Sequence, residues 1–243
     1  MAPPSTPDKY PPREAFDKII TINVGVKTED AVEGTNTFKV HKGVLCFYSG
    51  YFNACLNGDF VEARSGVVDL VEEDPDRFKD FVGWLYTRQL PVDHESKDVG
   101  EQWRDVFRLW VFADKRQVPL LANRCINALR ELNVVRWCAP TTELHFVYAN
   151  TTADSLLRRF LVYLIAMVAG PGGDRLLGDS RDRYPPDALW DILKLVWGNG
   201  SSKAASMSVQ EILAIDLCKF HQHEDGVRCP PESTAHIKKK EKS

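Results

Sequence analysis

Toward its C-terminal end the chain gathers four side chains that can give a lone pair to a metal, in the spacing Cys218-x-x-His221-x-His223-x5-Cys229. Thiolate sulfur and imidazole nitrogen together are the donor mix that tetrahedral zinc takes, which makes Cys218, His221, His223 and Cys229 a candidate metal set. Against it, the His-x-His step is short for a structural finger, and two residues two apart cannot both face inward from one helix. The competing reading is a helix end at which histidines sit near the last carbonyls, where they are electrostatically favoured. On that reading, which the spacing favours, no cofactor is expected. Elsewhere there is no nucleophile elbow, no His-Glu-x-x-His and no dinucleotide fingerprint. Gly170-Pro171-Gly172-Gly173 lacks the Gly-Lys-Ser/Thr that would make it a phosphate loop. An enzyme is therefore not expected, nor a small-molecule substrate.

The 243 residues carry a formal charge of -3, which exerts no long-range pull on nucleic acid, so direct nucleic-acid binding is not expected. The longest apolar run, 160–169, is about half of the ~20 residues that span a bilayer, and predicts a buried helix, not a membrane segment. The opening residues are Pro-rich and polar, unlike a secretory leader. With no repeating framework among the six cysteines, these predict reduced thiols in an intracellular protein of cytoplasm, nucleus or both. The basic run 238–242 reads equally as a nuclear-import patch or a solvated tail.

The elements that must position any site follow from hydrophobic spacing. Residues 1–16, with Pro3, Pro4, Pro7, Pro11 and Pro12, predict a disordered arm. Ile20, Ile22, Val24 and Val26 alternate with polar residues as a strand does. An acidic hairpin loop over 27–35 leads to a second strand at 37–40, which turns at His41 into a helix and at Ser49 into another. Val68 and Leu70 mark a third strand. Asp74-Pro75 starts a helix by capping, and Phe78, Phe81, Val82 and Leu85 share one face of it, with Trp84, Leu85 and Tyr86 all expected in the core. After a polar interruption at 91–100, Val106, Phe107 and Trp110, then Cys125 and Leu129, continue as two more helices. The stretch 133–220 is helical in pattern: a short helix near 141–148, one with Leu157, Phe160, Leu161, Leu164 and Val168 on a face, a mobile loop at 174–184, one with Leu189, Ile192, Leu193 and Val196 on one side, and a last helix over 209–220 opened by the capping box Ser208-x-x-Glu211. Residues 221–243 predict a polar, basic, disordered tail.

One run of motifs is family-specific. Phe38-Lys39-Val40-His41-Lys42-Gly43-Val44-Leu45, then Ser49-Gly50-Tyr51-Phe52, Asp74-Pro75 and Trp84-Leu85-Tyr86-Thr87 resemble, in order and over residues 17–132, the BTB/POZ domain. The whole is similar to stand-alone BTB proteins of filamentous fungi. The resemblance implies an α+β fold, a small mixed sheet with helical hairpins, followed here by an all-α extension. It implies a protein-interaction module that works by docking, most readily an adaptor linking a partner to a cullin-based ubiquitin ligase. The alternative it implies is a transcriptional or scaffolding protein that self-associates or recruits a regulator; a zinc-binding C-terminal module is a third. By the same resemblance, His41 and Lys42 are candidate interface residues at the strand-to-helix junction. Val99, Glu101 and Trp103 are candidates where a cullin docks. Some members line a polar pocket with an aspartate at the start of the first strand; here Lys18 falls at that position and Asp17 one residue before it. The short Pro-rich arm leaves too little chain to exchange a helix and a strand, so a monomer or weak homodimer is expected.

Overall fold

Strands β1 (Ile19–Val24), β2 (Thr37–His41) and β3 (Val67–Leu70) form one mixed sheet in the order β2-β1-β3. The computed structural model describes residues 9–25, 36–91, 99–136, 140–169, 181–198, 207–223 and 227–229. The expected alternation holds in β1, where Ile20, Ile22 and Val24 are buried, while Val26 and the hairpin loop lie outside the described residues. β2 runs antiparallel to β1 with Ile20 opposite Val40, and β3 runs parallel to it with Val24 opposite Leu70. A parallel pair needs a crossover. Short helices supply it: α1 (Lys42–Tyr48), α2 (Gly50–Asn57) and α3 (Val61–Ser65). α3 is too short to show a periodic signal, and it ends on Gly66 at φ 69°, a conformation that glycine adopts without strain.

Asp74 caps α4 (Pro75–Thr87) through Oδ1, which accepts from the Asp76 and Arg77 amides at 2.8 and 3.4 Å. Phe78, Phe81, Trp84 and Leu85 are buried as expected, but Tyr86 is 43% exposed. That corrects its placement in the core: one step past Leu85 turns the side chain about 100° off the buried stripe. α5 (Val99–Lys115) and α6 (Pro119–Arg136) form a helical hairpin closed by Gln117 at φ 51°. Its turn is tied to the start of α2 by Ser49 Oγ donating to the Arg116 carbonyl at 2.6 Å and by the Gly50 amide donating to the Gln117 carbonyl at 2.9 Å. Val106, Trp110, Cys125 and Leu129 join Phe78, Phe81 and Leu85 in one continuous core, so the stripes of successive helices meet as expected. The result is an α+β fold with a mixed three-stranded sheet and helices continuing beyond it.

After a 3-10 turn at Thr141–Glu143 come α7 (Leu144–Asn150) and α8 (Leu156–Ala169). Leu157, Phe160, Leu161 and Leu164 are buried, and the Val168 side chain is outside the described residues. Most of the expected mobile loop at 174–184 is outside them too, but Tyr184 at its end is buried at 6% exposure and does not belong to a free loop. α9 (Pro186–Gly198) packs on α7 and α8 and departs from expectation on its opposite side, where Leu189, Trp190, Leu193 and Trp197 are exposed. Apolar residues ring most of this helix, and one packing surface covers only one side of it.

The predicted last helix is two pieces, α10 (Val209–Leu213), with its Ser208–Glu211 capping box, and a 3-10 turn at Leu217–Phe220. Asp216 separates them: its Oδ1 accepts from the Cys218 amide at 3.0 Å and starts the second turn. Among the described residues Cys46, Cys55, Cys125, Cys218 and Cys229 are free thiols, and no described helix is long and apolar enough to cross a membrane.

Candidate functional site

The break at Asp216 decides what the C-terminal donors can do. In a 3-10 turn side chains three apart eclipse one another, so Cys218 and His221 fall on one side. At His221 the backbone is already extended (φ -98°, ψ 146°), and 222–223 carry no helical structure. In extended chain, residues two apart share a side. The objection that a His-x-His pair cannot face inward from one helix therefore lapses, because the helix has ended. Cys229 lies at the same place.

Three of the four donors meet, and the fourth, His221, stands against one of them. The ligand atoms of Cys218, His223 and Cys229 lie within 4.8 Å of one another. His223 Nε2 stands 3.2 Å from Cys218 Sγ and 3.5 Å from Cys229 Sγ, and His221 Nδ1 stands 3.0 Å from Cys229 Sγ. The other nitrogen of His221 is 2.9 Å from Asn127 Oδ1 on α6. An amide oxygen only accepts, so Nε2 carries the proton and the Nδ1 lone pair points at the sulfur. Burial, with His223 and Arg130 adding to it, holds His221 down to about 4, a neutral ring near pH 7; burial lowers His223 as well. The Cys229 amide donates to Cys218 Sγ at 3.5 Å.

The segment is fastened to α6 beside these donors. Asn123 Oδ1 accepts from the Gln222 amide at 2.7 Å while its Nδ2 donates to the Gln222 carbonyl at 2.9 Å, as a paired strand would. Phe220 packs at 5.2 Å from Phe160 of α8. Asn123 and Asn127 are site residues that the sequence does not reveal, since 99 and 94 positions separate them from their partners.

The interface candidates separate into different roles. His41 accepts Tyr86 as its neighbour twice: its amide donates to Tyr86 Oη at 3.1 Å and its Nδ1 lies 2.9 Å from the same oxygen. Phe16 also meets the His41 ring, edge to face at 5.4 Å. Lys42 is half-buried, and its Nζ donates to the Leu56 carbonyl at 2.8 Å, closing the end of α2. Trp103 is buried and stacked on Phe107 at 5.9 Å, because α5 is packed against α4, α6, the Thr141–Glu143 turn and α7. In this chain its ring supplies packing. Glu101 is exposed, Val99 opens α5 with its side chain outside the described residues, and most of the preceding loop lies outside them too.

Two apolar surfaces were not anticipated. Phe16, Ile19 and Tyr86 are exposed around the His41 ring contacts, and Leu189, Trp190, Leu193 and Trp197 are exposed on α9. Compared with known families, residues 16–132 match the model of the BTB/POZ domain.

Proposed function

Since residues 16–132 are a BTB/POZ domain, a protein-interaction module, we propose that the chain is a docking adaptor without chemistry of its own, whose BTB part holds one protein and whose helical extension holds another. The observation that carries this reading is the pair of exposed apolar faces, Phe16 with Ile19 and Tyr86 on one part and Leu189, Trp190, Leu193 and Trp197 on the other. Contiguous exposed apolar surface marks sites of association. A protein that only self-associated would need the first face and not the second.

A cullin is the proposed partner of the BTB part, approaching the start of α5, where Glu101 is exposed. The free thiols fit a reducing compartment, as a ligase adaptor requires. The rival is a scaffolding or transcriptional protein that pairs through the Phe16 face, which the aromatic contacts around His41 favour. Titrating a purified cullin into the full chain by calorimetry, with the mass of the chain followed by light scattering, separates them. Saturable binding by a monomer, weakened by Glu101→Arg, supports the adaptor. Absence of binding together with a dimer mass that Phe16→Ala abolishes replaces it with the self-associating reading.

A further inference from the structure

We propose that Cys218, His221, His223 and Cys229 bind one zinc(II) ion, which pins the end of the helical extension onto α6. Two thiol–imidazole hydrogen bonds would account for Cys218 with His223 and for Cys229 with His221, each taken alone. They do not explain why His223 Nε2 faces both sulfurs, at 3.2 and 3.5 Å, or why the Cys229 amide is directed at Cys218 Sγ. Convergence of two sulfurs and one imidazole nitrogen, with a second imidazole against one sulfur and an amide supporting the other, is what a cation at the centre would organise.

The chemistry of the donors selects the ion. Thiolate and imidazole suit zinc, while the oxygen-seeking cations magnesium and calcium would find no carboxylate among these four. Four protein donors make a closed, structural site and leave no open position for a substrate. Asn127 orients His221 from behind, the supporting contact that ligating histidines characteristically make. Binding displaces the two thiol protons to solvent, and the neutral imidazoles lose none.

The position gives the ion a purpose. The segment from Ser208 to His221 touches α6 and α8 through few large apolar side chains, chiefly Ile212, Leu217 and Phe220. Metal binding energy is available only to the folded arrangement of donors, so it adds to the packing there and closes the loop between His223 and Cys229.

The full chain, purified without chelator, would be assayed for zinc by elemental analysis. After chelator stripping it would be titrated under reducing conditions with cobalt(II), then with zinc. The expected result is one zinc per chain and the visible absorption of thiolate-bound tetrahedral cobalt(II), abolished as zinc displaces it. Cys218→Ser and Cys229→Ser should lose both signals while Cys46→Ser keeps them. Asn127→Ala retains every ligand and should bind about 10–100-fold more weakly. Circular dichroism of each variant beside the stripped wild type separates loss of ligand from loss of fold. A stripped, folded wild-type chain that takes up neither ion would overturn the proposal, as would a Cys218→Ser chain that binds cobalt(II) like the wild type.

Discussion

A single hydroxyl shows how much one residue can hold in this fold. Ser49 Oγ accepts from the Phe52 amide and donates to the Arg116 carbonyl, and the residue is fully buried. Ser49→Ala leaves both partners unsatisfied away from water, at about 1–3 kcal/mol for such a group. Urea denaturation should show a midpoint lowered accordingly, with the slope unchanged. Leu85 is a purely apolar counterpart, buried beside the aromatic stripe of α4. Leu85→Ala should cost roughly 2–5 kcal/mol as a core truncation, and a loss well under that range would show that the site can collapse around the cavity. The burial of Leu85 follows from residue type and spacing, whereas the bond of Ser49 to Arg116 spans 67 positions. Nor do the placements of Tyr86 and Trp103 follow from type and spacing, because an aromatic residue near an apolar stripe is as compatible with burial as with exposure until its neighbours are placed.

Among elements, the segment 217–223 depends on side chains of α6 for its backbone partners. Asn123 satisfies both the amide and the carbonyl of Gln222, at 2.7 and 2.9 Å. Asn123→Ala removes that pairing while leaving the α6 backbone intact, so hydrogen exchange at Gln222 and its neighbours should quicken while the amides of α4 keep their protection. Equal loosening of both regions would mean that the segment and the sheet-bearing part unfold as one unit. The outer side of α9 makes the opposite case. Trp190 and Trp197 are 57% and 69% exposed, so replacing both with serine should move stability by less than about half a kcal/mol per site. The same change should abolish any partner held by the extension, as read by co-precipitation of that partner with the full chain. A large drop in melting temperature would instead show that the two rings pack within the fold.

Among the described residues one buried hydrophobic cluster takes members from Ala15 to Phe220. The helix that carries the α9 face joins this cluster through Ala188 and Ile192. The β1 strand lies in the middle of its sheet, paired on both sides by strands of its own chain. Insertion of a partner's strand beside β1 is closed off, and side-chain contact through the exposed Phe16, Ile19 and Tyr86 is a route that needs no strand pairing. Such a contact is small, and light scattering should give a monomer mass at low micromolar concentration. A dimer that survives dilution would show that the N-terminal face buries more than these side chains.

Local chemistry was legible in the amino-acid order: the alternation of β1, the helix start at Ser49, the Asp74 and Ser208 caps, the stripes of α4 to α6 and the donor composition of the C-terminal cluster. Each depends on interactions within a few residues, where periodicity and side-chain type leave little choice. The clustering of Cys218, His221, His223 and Cys229 was visible as composition, but their approach to one another was not, since it required the helix to break at Asp216, the chain to turn extended at His221 and the segment to lie against Asn123 and Asn127. Burial of Trp103, exposure of Tyr86 and the open side of α9 were likewise decided by what packs against each helix. A sequence period states which side chains share a face; only the tertiary arrangement states which faces are covered.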